Sequence, residues 1–235
     1  MMTLSKLDFT HVKRDDAEVD MVHEQTPFFD PVFRDKFDAL VQWRRDVRRF
    51  KTDLVDAAEI DQLIAQACLS PSVGNCQPWR FVLVNDPEMR AAVRDNFAHF
   101  NAEALAAYSN NRAALYARLK LAGLEAAPVQ LAVFADPNTP YGHGLGRRTM
   151  PEMLQYSVVG AIQTLWLAAR TRGLGVGWVS ILDPELVNEA LDVPATWRLI
   201  AYLCVGYPLE EHTDPELQRA GWQGRVDPAA FLFRR

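Results

Sequence analysis

From Glu152 to about Arg170, apolar side chains occupy nearly every side of a helix: Met153, Leu154, Tyr156, Val158, Val159, Ile162, Leu165, Trp166 and Leu167. Such a helix has almost no face suited to water and must be covered on most sides. It does not suit a membrane span, which needs about 20 predominantly apolar residues, because Gln155, Ser157, Gln163 and Thr164 interrupt the run. A central helix packed against a sheet and against a second subunit accommodates both facts. Thr149-Met150-Pro151-Glu152 predicts its start, with Thr as cap, Glu three residues on and Pro in the first turn.

The flanking segments alternate between helical and strand patterns. Phe37, Leu40 and Val41 predict a helix over Arg34 to Trp43, and Asp56-Ala57-Ala58-Glu59 is a capping-box start for a second, with Ile60, Leu63, Ile64 and Ala67 on one face. Ser70 to Trp79 is a loop by its Pro and Gly content and leads into a strand over Arg80 to Val84. Glu88 to Leu121 is alanine-rich and helical with a polar break at Ser109-Asn110-Asn111, which fits two packed helices or a movable cover. Strands are predicted at Val129 to Ala135, Trp178 to Ile181 and Leu199 to Val205, with a short helix from Asp183-Pro184 to about Leu191. The fold class is α+β in one domain over residues 34–235. Residues 1–33 are expected to be a loosely ordered leader, and residues 207–235 a proline-punctuated arm that wraps over the body or a second subunit.

A net charge of −5 does not indicate general attraction to nucleic acid or an anionic membrane. Three cysteines without C-x-x-C spacing argue against a disulfide framework and a zinc site, and point to a reducing, cytoplasmic setting. The scattered histidines fit no metal motif, so no metal is assigned. There is no P-loop, and the glycines at 142, 144 and 146 lack the dinucleotide spacing.

Against this acidic background stands Arg44-Arg45-Asp46-Val47-Arg48-Arg49-Phe50. Guanidinium forks match phosphate oxygens in pairs, so the run reads as an anion site or as a solvated, self-paired charge cluster. Asp46 repels an anion and must orient the arginines or have chemistry of its own. The hydroxyl and amide groups of Ser72 and Gln77 suit a polar heterocycle or a plain connection. Gly173, Gly175 and Gly177 permit close approach of a flat ligand or simply end a helix. Ser180, among large apolar residues, reads as a core hydroxyl.

Trp43-Arg44-Arg45-Asp46-Val47-Arg48 resembles the flavin-phosphate motif of the nitroreductase superfamily, in which Ser usually stands where Asp46 does. Pro71-Ser72-Val73-Gly74 with Gln77-Pro78-Trp79, Leu165 to Arg170, Gly175 to Ser180, and Gly221-Trp222 before Arg225 match in order, and together resemble its 5,6-dimethylbenzimidazole synthase branch. The resemblance runs from about Phe37 to Phe233. It implies a nitroreductase-like fold with a central, mainly antiparallel sheet flanked by helices, and a homodimer with exchanged C-terminal arms.

It also implies an oxidoreductase, a flavin destructase of cobalamin biosynthesis. Reduced FMN would be the substrate and molecular oxygen the co-substrate. NAD(P)H would serve indirectly for flavin reduction, with a separate flavin reductase as a candidate partner. Ribityl C1′ would become C2 of the benzimidazole, with erythrose 4-phosphate as the sugar fragment.

By the same resemblance Arg44, Arg45 and Arg48 clamp the phosphate and ring edge, Ser72 and Gln77 bind the ribityl or ring, Arg225 closes from the tail, and Asp46, Val47 and Ser180 also belong to the flavin-binding set. Asp46 and Ser180 are the catalytic candidates, and residues 98–122 the lid. Flanking guanidiniums are expected to lower the Asp46 pKa. The rival readings are an FMN-dependent NAD(P)H nitroreductase or dehalogenase that keeps its flavin, and a non-catalytic flavin-binding protein.

Overall fold

The computed structural model of the protein describes residues 26–235. The expected leader therefore lies largely outside the described residues. Helix α1 (Pro31–Trp43) opens ahead of the expected start because the Asp30 carboxylate accepts the Phe33 N–H at 2.7 Å and Pro31 fills the first turn. In α2 (Ala57–Ala67), Asp56 caps as expected through the Ala58 N–H at 2.9 Å. Glu59 does not close the box; it pairs instead with Arg172 Nε at 2.9 Å.

One antiparallel sheet holds the fold, in the order β1 (Trp79–Leu83), β2 (Val129–Ala135), β4 (Arg198–Gly206), β3 (Gly175–Val179). Strands β2 and β4 lie in the middle and are buried along most of their length, so they read as continuous apolar runs. Alternate residues serve two cores. Leu131, Val133, Leu203 and Val205 pack with α2 and with Val158, Ile162 and Leu165 of α5 (Met153–Thr171). Ala132, Phe134, Tyr202 and Cys204 pack with Phe50, with Val93 of α3 (Pro87–Ala106), and with Val187 of α6 (Pro184–Ala190). The predicted break between two helices falls between α3 and α4 (Asn110–Tyr116).

Helix α5 starts later than its capping pattern suggests. Met153 and Leu154 donate to Met150 and Pro151 carbonyls in a tight turn, so Glu152 takes the cap position, without a side-chain bond. The helix buries Leu154, Val158, Ala161, Ile162, Leu165 and Ala169 but leaves a stripe of Tyr156 (56% exposed), Val159 (41%), Gly160 and Gln163 uncovered.

Gly173, at φ 70°, ends α5, and the chain turns directly into β3. The strand therefore begins three residues before the expected Trp178 and ends at Val179. Ser180 consequently stands exposed beyond the strand end and is not a core hydroxyl. Among the described residues no helix is long and apolar enough to cross a membrane.

Candidate functional site

The arginine run lies along the outer edge of β3. Val47 N–H donates to the Val176 carbonyl at 3.0 Å, and Asp46 and Val176 form a parallel bridge. The two strand glycines make this possible. A Cβ on Gly175 would lie 2.6 Å from Val47 Cγ2, and one on Gly177 would overlap the Val47 carbonyl oxygen. These glycines thus admit the run itself, and Val47 spends its backbone donor on the strand.

The arginines have separate tasks. Arg45 folds back on α1: its Nε donates to the Gln42 carbonyl at 2.8 Å and its Nη2 to Val41 at 3.0 Å, covering orphan carbonyls at the helix end. Arg48 Nε pairs with Asp46 Oδ2 at 2.8 Å while its Nη1 donates to the Lys120 carbonyl at 2.9 Å. Arg49 holds Glu210 and Glu216 at 3.0 and 2.8 Å. Arg44 lies over the Trp166 ring at 4.9 Å, and its buried Nε has no hydrogen-bond partner among the described residues.

Burial lowers the pKa of Arg44, opposed by Asp46 and reinforced by Arg225. Burial lowers that of Arg45 as well, with Arg44 and Arg225 adding to the effect and Asp214 opposing it. Three guanidiniums therefore feel one another, and a buried donor is left over. That is the electrostatic demand an anion such as phosphate meets.

Asp46 is held at both oxygens, Oδ2 by Arg48 and Oδ1 by the Trp178 N–H at 2.9 Å. Although 31% of its side-chain surface remains open, surrounding protein raises its pKa. Arg48 and the Trp178 N–H pull the other way and do not win. This reverses the expected lowering, because loss of hydration outweighs the neighbouring charge. Ser180 follows Trp178 by two residues, about 7 Å along an extended chain, so Asp46 and Ser180 share one end of β3.

Ser72 and Gln77 are elsewhere. Ser72 Oγ accepts the Gln77 N–H at 3.0 Å, and the loop is fastened to α5 where Val73 N–H donates to Ser157 Oγ at 3.1 Å. The arginine run meets α5 at Trp166, whose indole N–H donates to the Arg45 carbonyl at 3.3 Å. Nine residues separate Ser157 from Trp166, about 14 Å and half a revolution around the helix. One chain thus carries the two groups on opposite faces of α5, with the uncovered stripe between them.

Cavities lined by the run are small, about 30 and 10 Å³. A cavity of about 820 Å³ lies apart from it, lined by Gln155, Asp183, Glu185, Trp197 and Arg198.

Sequence reasoning missed Trp166, the Trp178 N–H and the Lys120 carbonyl. The matching tryptophan motifs were a signal for the first two; a backbone carbonyl has none. No group of three His, Cys, Asp or Glu among the described residues is placed to hold a metal ion. Cys204 is a core thiol, pushed up to about 12 chiefly by burial.

The model of the nitroreductase family matches residues 41–207. The chain belongs to the nitroreductase family. Within it, the chain is 61% identical over 199 residues to the 5,6-dimethylbenzimidazole synthase of Rhodospirillum rubrum, covering 85% of this chain and 94% of that one. It is 48% identical over 195 residues to the enzyme of the same name from Rhodobacter capsulatus, covering 83% and 94%.

Among solved structures, iodotyrosine deiodinase bound to FMN and 3-iodo-L-tyrosine superposes with a TM-score of 0.63 at 26% identity, covering 74% of this chain and 91% of that one. A nitroreductase-like protein of Streptococcus mutans gives 0.62 at 18% identity, covering 86% and 98%. The expected α+β fold with its antiparallel sheet is therefore the family fold.

Proposed function

We propose that the protein consumes reduced FMN and molecular oxygen to form 5,6-dimethylbenzimidazole, acting as a homodimer. The observation that carries this reading is Asp46: a carboxylate set in an anion site, fixed at both oxygens, in a chain 61% identical to a 5,6-dimethylbenzimidazole synthase. The site's chemistry fits FMN. The unpartnered Arg44 Nε and the Arg44, Arg45 and Arg225 charges suit its phosphate, and the exposed Ser180 and Gln77 suit its polar ring edge.

The reduced flavin supplies the electrons that oxygen takes up and the carbon atoms of the product. The protein positions it. Arg44 and Arg225 hold the phosphate, with Arg45 adding charge, while Arg48 keeps Asp46 in place. Ser72 and Gln77 reach the ring or ribityl chain from the second copy, because their own chain holds them across α5 from its arginines. Each Asp46 oxygen keeps a further lone pair after its existing hydrogen bond. Its raised pKa makes it a readier proton acceptor than a surface aspartate. Ser180, at the same strand end, offers a hydroxyl to the reacting edge. Residues 98–122 exclude bulk water. Electrons from NAD(P)H arrive on flavin reduced elsewhere, by a separate reductase.

The test is to mix purified protein with excess reduced FMN and oxygen. Loss of flavin absorbance with appearance of the benzimidazole by mass spectrometry is expected. Quantitative return of oxidised FMN would instead assign a nitroreductase-type enzyme that keeps its flavin, and tight binding with no chemistry a flavin carrier.

A further inference from the structure

We propose that Trp222 latches residues 98–122 shut in response to the flavin phosphate, so that FMN is told from riboflavin by closure as well as by direct contact. The inference rests on the flavin reading above.

The tail is tied to the arginine run before it reaches the lid. Leu209 N–H donates to the Arg49 carbonyl at 3.0 Å, and Arg49 pairs with Glu210 and Glu216, the latter opening helix α7 (Glu216–Arg219). The tail then turns at Gly221, where φ is 75° and Trp222 N–H donates to the Leu217 carbonyl at 2.8 Å. This turn sets the direction of the Trp222 side chain.

The indole then meets the lid at its helix break and along α4. It lies edge-on to Tyr108 at 5.5 Å and to Tyr116 at 6.0 Å, and Arg112 covers its face at 4.7 Å. Arg112 Nη1 also donates to the Trp222 carbonyl at 3.3 Å. Tyr116 O–H donates to Asn101 Oδ1 at 2.8 Å, so α4 is fastened to α3 and the two respond together.

Three residues beyond the indole is Arg225, within about 10 Å along the chain, and its charge is felt by Arg44 and Arg45. Without an anion these guanidiniums repel. A phosphate between them reverses the sign of that force and draws Arg225 inward, seating Trp222 on the lid. A flavin lacking phosphate fills the ring site but leaves the latch unset.

The test uses the full chain, oxidised FMN and oxidised riboflavin. Quenching of flavin fluorescence reads binding, and tryptic cleavage at Arg112, Arg118 and Lys120 reads lid opening. In the wild-type protein FMN should slow lid cleavage by about tenfold and riboflavin should not, since cleavage follows the population of the open form. Trp222→Ala should lose the protection and, by linkage, about tenfold in FMN affinity while its riboflavin affinity is unchanged, and Trp222→Phe, which keeps an aromatic contact, should recover most of both. Arg225→Met should lose both protection and the preference for FMN.

Protection of Trp222→Ala by FMN to the wild-type extent overturns the latch, as does equal protection of the wild type by riboflavin or protection by neither flavin despite quenching. A wild-type protein that quenches neither flavin overturns the flavin reading itself, and the latch with it.

Discussion

The Asp46 carboxylate accepts the backbone N–H of Trp178 at 2.9 Å, so the single acid in the arginine run is anchored to the edge strand and not only to a neighbouring guanidinium. The same contact places Asp46 and Ser180 at one end of β3. It depends on backbone meeting backbone at Val47 and Val176, which in turn depends on the strand glycines.

Gly177→Ala should therefore disrupt the site from behind. The added methyl overlaps the Val47 carbonyl, a backbone atom that cannot swing aside. Overpacking of this kind costs about 1–3 kcal/mol, and each kcal/mol lowers Tm by roughly 2–4 °C in a domain of this size. Thermal unfolding should show that drop, and an FMN titration should show weakened binding. Gly224→Ala, whose Cβ meets nothing within 4 Å, is the control that should leave both unchanged.

The raised pKa of Asp46 has a defined consequence for stability. Between its unfolded and folded values the native protein holds a proton that the unfolded chain releases. The stabilisation is complete below the unfolded value and is lost as pH rises through the folded one. Asp46→Asn, neutral throughout, should thus be at least as stable as wild type in urea at neutral pH, with the advantage disappearing in acid. It should still bind FMN within about threefold but form no benzimidazole, as expected for loss of a catalytic base. A variant that is less stable at neutral pH would show that the Arg48 pairing outweighs burial, and one that forms product at the wild-type rate would make Asp46 structural.

Much of this was legible in the residues. Pro128 and Asp136-Pro137 bracket β2, and Asp183-Pro184 announces α6, because turn and cap chemistry act over a few neighbours. Other features depend on contacts made far along the chain. Gly175 and Gly177 signal that something approaches closely, but not that it is Val47. The position of Ser180 depends on where Gly173 ends a helix, and a small slip moves it from core to surface. The Asp46 pKa turns on burial created by several elements, whereas sequence shows only the adjacent arginines. Arg45 and Arg48 were named as anion ligands, yet each spends donors on backbone carbonyls or Asp46, partners that carry no residue-type signal.

Gln130 tests how the segment following α4 is held to the core. Its Oε1 accepts the Tyr202 O–H and its Nε2 donates to the Leu124 carbonyl, both at 2.7 Å and both buried. Burial raises the Tyr202 pKa, so the phenol stays neutral and needs an acceptor. Gln130→Leu strands both partners, at about 1–3 kcal/mol for each unsatisfied group, which urea unfolding should register. Adding Tyr202→Phe should restore part of that loss, because it removes one stranded hydroxyl.

Gly160 tests the proposed second copy. It sits on the uncovered stripe of α5, its Cβ would meet nothing within 4 Å, and the stripe separates the arginine run from the Ser72–Gln77 loop. Within one chain Gly160→Arg should cost little, since replacing a helical glycine recovers up to about 1 kcal/mol of helix propensity. Against a second copy the same side chain obstructs close approach. Light scattering should show the dimer reduced to monomer, and FMN affinity should fall by about tenfold or more as the partner's ring contacts are lost. Circular dichroism separates loss of pairing from loss of fold. A Gly160→Arg protein that stays dimeric and binds FMN like wild type would place the subunit contact elsewhere and require Ser72 and Gln77 to reach the flavin by another route.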